Sequence, residues 1–247
     1  MRTIGIIPAR YESSRFPGKP LVDIEGKSMI QRVYEQVKGC GGLSEVIVAT
    51  DDARIEEHVR SFAGNVIMTS PTHQSGTDRC AEVVSKISGF DIAINIQGDE
   101  PFISPLQIEL LSNLFHDSTT EIGTLVKKID HPKDLFNESI PKVVVNSKNE
   151  AMYFSRQTIP FQRGITQNEW LNNHIYFKHI GIYGYTVEVL RKITTLPVSS
   201  YEKAEGLEQL RWLENGYRIK IAKTEFDTIA VDHPEDVDLI KKKFFSP

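Results

Sequence analysis

A chain of 247 residues with 40% hydrophobic content is long enough to build one large α/β unit around a filled core, and a formal net charge of −4 offers no basic surface to a nucleic acid or an anionic membrane. Its two cysteines, Cys40 and Cys80, have no metal-ligand spacing, no charged-then-apolar leader opens the chain, and no apolar run nears the roughly 20 residues a bilayer span needs. The expectation is a soluble protein of the reducing cytoplasm with small-molecule partners, no nucleic acid and no membrane.

Apolar runs alternating with helical patterns mark βαβ units. Ile4-Gly5-Ile6-Ile7 is apolar at every position, as a central strand covered on both faces requires. Ser28 and Gln31 form a capping-box pattern ahead of Met29, Ile30, Val33, Tyr34 and Val37, which share one helical face. A second strand follows in EVIVATDD (45–52), a helix in RIEEHVRSFA (54–63), a short strand in NVIM (65–68), a helix in TDRCAEVVSKI (77–87) and a fourth strand in DIAINIQGDEP (91–101). Beyond it EIGTLVKKI, PKVVVNS, AMYFS and KHIGIYGY read as strands in close succession, so the sheet is expected to be mixed. From Thr158 to Phe177, with Pro160, Gly164 and scattered aromatics, no period fits, and the stretch reads as an excursion from the core.

The first loop, within IGIIPARYESSRFPGKPL (4–21), places Arg10, Arg15 and Lys19 directly after the first strand. Ligands of open α/β sheets gather at the carboxyl ends of strands, so this loop predicts an anion. It is not a P-loop, because Ser13 stands at the first glycine position and Pro20 follows Lys19. Gly26-Lys27-Ser28 fails as well, with Leu21 at the first glycine position, and no G-x-G-x-x-G occurs. What remains is a loop whose amides and hydroxyls (Ser13, Ser14) line a triphosphate while Arg10, Arg15 and Lys19 supply charged donors, with a merely solvated basic loop as the alternative.

Two acidic stretches complete the pattern. In NIQGDEP (95–101), Asp99 is a candidate Mg²⁺ ligand, since this ion is held by one or two carboxylates plus substrate phosphates; a plain turn before Pro101 is the alternative. In AVDHPEDV (230–237), Asp232 offers a second carboxylate, or with Glu235 and Pro234 it caps a helix.

In the order IPARYESSRFPGKPL, ATDD, HQSGTDR, NIQGDEP, YFSRQTIPF, HIGIYGY, LEQLRWLENG and VDHPEDV, the chain resembles the 3-deoxy-manno-octulosonate cytidylyltransferases along nearly its whole length. The resemblance implies a Rossmann-like nucleotidyltransferase fold, a mostly parallel mixed sheet flanked by helices, in one domain over 1–247. It implies a homodimer in which the segment 157–180 is a dimerisation and acceptor-side excursion, with Phe161, Trp170, Tyr176 and Phe177 available to bury against a partner. The implied reaction joins CTP to the sugar acid KDO, with Mg²⁺, to give CMP-KDO and diphosphate for lipopolysaccharide synthesis.

By the same resemblance, Pro8, Ala9, Arg10, Ser13, Arg15, Lys19, Gln97 and Asp99 bind CTP, Arg15 and Lys19 stabilise the departing diphosphate, and Asp99 and Asp232 hold the metal, so that Arg15, Lys19, Asp99 and Asp232 form the catalytic set. Arg79, Gln97, His179, Tyr185, Glu208 and Gln209 match the sugar-acid pocket. Each has a structural alternative: Arg79 paired with a neighbouring acid, His179 satisfied in the core, Tyr185 packed in the sheet, Glu208 on an exposed helix face. A cytidylyltransferase for sialic acid or an 8-amino KDO analogue, and a non-catalytic nucleotide-binding module, are the competing functions.

Overall fold

A computed structural model describes residues 1–12, 16–227 and 229–245 of the chain. β1 (Thr3–Ala9) leads through the basic loop and a small hairpin, β2 (Asp23–Ile24) and β3 (Lys27–Ser28), into α1 (Met29–Lys38). β4 (Glu45–Thr50), α2 (Ala53–Ser61), β5 (Val66–Met68), α3 (Gly76–Lys86) and β6 (Ile92–Asn95) continue the alternation. There follow α4 (Pro105–Asn113), β7 (Ile122–Lys128), α5 (Pro132–Leu135), β8 (Lys142–Val145), β9 (Ala151–Ser155) and α6 (Trp170–Asn173). The chain closes with β10 (Phe177–Thr186), α7 (Val187–Ile193), α8 (Ser200–Glu205), α9 (Gln209–Glu214), β11 (Ile219–Lys223) and α10 (Pro234–Phe245).

Among the described residues the main sheet has nine strands, seven of them in the order β11-β7-β10-β6-β1-β4-β5, with β8 joining the start of β10 and β9 joining β8. β1 is central and parallel to both β4 and β6. β10 runs antiparallel to β6 and to β7, which makes the sheet mixed as expected. The period-2 alternation explains the wholly apolar first strand: Ile4 and Ile6 pack with Cys80, Val83 and Val84 of α3 on one face, while Ile7 and Ala9 pack with Ile30, Val33 and Val37 of α1 on the other. The Ser28 hydroxyl caps α1 by accepting from the Gln31 amide at 3.2 Å, while the Gln31 side chain turns to Glu35. Both halves of a capping box form at α3, between Ser75 and Asp78.

Two expectations change. The excursion 157–180 is shorter, because Phe177 to Ile180 already belong to β10 and pair with β7. Its aromatics are also largely covered by their own chain: Trp170 and Tyr176 are buried with Ile129 and Leu135 in a satellite core, and Phe177 packs on the main core. Of the four, Phe161 alone stays open, at 74% exposure. The polypeptide supplies a local apolar floor for Trp170 and Tyr176, which lie outside the sheet, and sequence spacing cannot show it.

α10 folds back on the opening hairpin, burying Val231, Val237 and Ile240 against Ile24 and Met29. This return brings the last acidic stretch beside the first loop.

Candidate active site

β1, β4 and β6 run parallel, so their carboxyl ends open on one edge of the sheet, and β10 starts there. Pro8 and Ala9 end β1 at this edge. A Cβ on Gly98 would lie 2.6 Å from the Pro8 carbonyl oxygen, and one on Gly76 would lie 3.3 Å from Pro8 Cγ. Glycine at both positions therefore lets the QGDEP turn and the start of α3 close around the end of β1.

Gly18, in the left-handed region at φ 73°, donates its amide to the Tyr11 carbonyl at 2.8 Å and starts the short turn that carries Lys19. Lys19 Nζ donates to Asp99 Oδ2 at 2.7 Å and to the Val231 carbonyl at 2.8 Å, and it lies 3.9 Å from Asp232 Oδ1. The Val231 amide donates to the Asp99 carbonyl at 2.9 Å. One ammonium thus fastens three segments that are far apart in the chain. Among the described residues no group of three or more His, Cys, Asp or Glu side chains converges on one point. Two carboxylates already gathered on a cation are nevertheless a donor set that suits Mg²⁺, which completes its shell with phosphate and water oxygens rather than with a protein cage.

Arg10 donates to the His73 carbonyl and lines a depression of about 330 Å³ with Tyr11, Glu12, Asp51, Asp52 and Pro71. Burial, and then the nearby charge of Arg79, lower the Arg10 pKa, with Asp51 opposing. Ser13 and Arg15, the middle of the basic loop, lie outside the described residues.

The residues matched to the sugar pocket divide. Gln97 Nε2 donates to the Gly181 carbonyl at 2.9 Å. His179 has Nε2 at 3.0 Å from Thr124 Oγ1, and burial pushes its pKa down to about 3, so the ring is neutral. It borders a cleft of about 300 Å³ together with Glu100, Ser139, Lys178 and Asp227. The His179 ring adjoins Tyr183, which stacks on Tyr185, and Trp212 meets both tyrosines edge-on. Glu208 accepts from Thr77 Oγ1 at 2.7 Å, and burial raises its carboxyl pKa. Gln209 is buried at the start of α9.

Arg79 is elsewhere. Its side chain is 0% exposed, with Nη1 donating to Thr69 Oγ1 at 2.5 Å and Nη2 to Asp51 Oδ2 at 3.1 Å. Its contacts are those of the alternative reading, a fork spent on a neighbouring acid. Asp51 and Thr69 were given no role in the sequence, although ATDD directly after a strand is a readable signal. Lys142 had no signal at all: wholly buried, it donates to the carbonyls of Asn137 (2.9 Å), Ile140 (2.7 Å) and Arg156 (2.5 Å), pinning the wall of the His179 cleft.

A family model of cytidylyltransferases matches residues 4–221. A 3-deoxy-manno-octulosonate cytidylyltransferase of Parabacteroides distasonis is 58% identical over 243 residues, 96% of each chain. One of Bacteroides thetaiotaomicron is 56% identical over 241 residues, again 96% of each. A solved structure of CMP:2-keto-3-deoxy-manno-octonic acid synthetase complexed with CTP superposes with a TM-score of 0.91 at 43% identity, covering 98% of both chains. A cytidylyltransferase from Leptospira borgpetersenii, 17% identical with a TM-score of 0.65, shares the fold.

Proposed function

The chain belongs to the 3-deoxy-manno-octulosonate cytidylyltransferase family, and from that premise we propose that it joins CTP to KDO, releasing CMP-KDO and diphosphate for lipopolysaccharide synthesis. The observation that carries this reading is the near-full-length likeness to a synthetase solved with CTP, joined to the convergence of Lys19, Asp99 and Asp232.

The anomeric hydroxyl of the sugar attacks the α-phosphorus. The new O–P bond forms as the bond to the bridging oxygen breaks, diphosphate leaves with the electron pair, and the hydroxyl proton passes to water. Such a transfer needs positioning and charge neutralisation rather than a covalent intermediate. Pro8, Ala9, Ser13 and Gln97 line the nucleotide, Arg10, Arg15 and Lys19 face the triphosphate, and Arg15 and Lys19 meet the charge that develops on diphosphate. Gln97, the neutral His179, Tyr185, Glu208 and Gln209 orient the acceptor's hydroxyls, and Arg79 remains the residue matched to its carboxylate. Asp99 and Asp232 would hold Mg²⁺, whose chemistry there is to polarise a phosphoryl oxygen and lower the pKa of an attacking hydroxyl. A homodimer, implied by the resemblance of the sequence motifs, and the cytoplasm, expected from the cysteine usage, belong to the same proposal. Among the described residues, no helix is long and apolar enough to cross a membrane.

A diphosphate-release assay tests the proposal. Release is expected only with CTP, KDO or a close analogue, and Mg²⁺ together. Equal turnover of sialic acid would overturn the substrate, and no release with any acidic sugar would leave a nucleotide-binding module.

A further inference from the structure

We infer that Lys19 is a resident counter-cation of the metal site, so that a divalent ion gains Asp99 only when a nucleotide triphosphate draws the lysine away. The inference rests on the proposed role of Asp99 and Asp232 as metal ligands.

The ammonium of Lys19 is a compact charge with three donors. It spends them on Asp99 Oδ2 and the Val231 carbonyl, with Asp232 Oδ1 3.9 Å away. A divalent cation held by both carboxylates would share Asp99 with the ammonium, and two positive centres drawn to one carboxylate repel each other in a partly covered site. Lys19 side-chain exposure is only 16%, so water screens that repulsion poorly. Metal and lysine therefore compete.

Bonded to Asp99 and 3.9 Å from Asp232, the ammonium offsets the like charge of the two acids. Lys19 also sits on the turn that ends the basic loop, next to the triphosphate of the proposed reading. A triphosphate offers the ammonium a denser anion, and its departure frees Asp99 while the phosphate oxygens complete a metal shell. By linkage, CTP and metal then raise each other's affinity by the same factor. Lys19 acts here as a positioning residue, in addition to its charge on the phosphates.

Mn²⁺ serves as the probe, read by electron paramagnetic resonance without sugar so that no turnover occurs. Wild-type protein should hold Mn²⁺ weakly alone and tightly with CTP. Lys19→Met, and Lys19→Gln as a second variant should the first fold poorly, should bind Mn²⁺ roughly tenfold more tightly without nucleotide, within the range of linked-ligand couplings. Lys19→Arg, which keeps the charge, should stay near wild type. Adding Asp99→Asn to Lys19→Met should abolish the gain. Equal or weaker Mn²⁺ binding by the neutral variants overturns the inference while leaving the metal assignment standing if CTP still recruits the ion. Wild-type protein that retains, with CTP, no more Mn²⁺ than Asp99→Asn overturns both.

Discussion

Arg79 holds two strand ends together from a fully buried position, with Thr69 and Asp51 as its partners. Truncating it strands the Asp51 carboxylate beside a cavity, and breaking such a pair costs on the order of 3 kcal/mol. Arg79→Ala should therefore lower the urea midpoint clearly, and a raised KM for the sugar with unchanged stability would instead assign the fork to the sugar carboxylate. His179 makes a second prediction. A histidine titrates near 6.5 when unfolded, and here its folded pKa is about 3, so between these values the unfolded chain binds the extra proton. The contribution of the neutral ring is fully present above pH 6.5 and is lost as pH falls toward 3, with a slope of up to about 1.4 kcal/mol per pH unit. Denaturant titrations between pH 6.5 and 4.5, above the range of most carboxylates, should show this slope in wild type and a flatter line in His179→Gln.

At the scale of elements, the start of α10 separates capping from ligation. The sequence pairs Asp232 with Glu235, but the acceptor for the amides of Asp232 and His233 is the Asp236 carboxylate, at 2.8 Å from each. The capping work described at this helix start belongs to Asp236, and Asp232 is 44% exposed, 3.9 Å from Lys19. A pair so exposed contributes at most about 1 kcal/mol. Asp232→Asn should leave the melting temperature near wild type and cut turnover by orders of magnitude, because a neutral amide is a poor ligand for a hard dication. Retained turnover at limiting Mg²⁺ would return Asp232 to a structural role.

For the whole molecule, association is the remaining prediction. The self-covered ring cluster around Trp170 and Tyr176 weakens the argument from aromatic content, yet Phe161, Met152 and Ile175 remain more than half exposed on or near that excursion. Light scattering at micromolar concentration should give a dimer, and Phe161→Ser should shift the equilibrium toward monomer. A wild-type monomer would reject the homodimer.

The linear pattern determined the layered sheet, since Ile4-Gly5-Ile6-Ile7 and the apolar faces of α1 and α3 are periodicities that local geometry must satisfy. It also named Lys19, Asp99 and Asp232, because their motifs are contiguous. What it could not determine was convergence over distance. That Lys19 ends up on Asp99 and the Val231 carbonyl depends on α10 packing back on the hairpin. That Arg79 is spent on Asp51 depends on β4 and α3 meeting across the sheet edge. Each is an electrostatic contact between segments whose mutual placement is set by tertiary burial, and no local propensity encodes it.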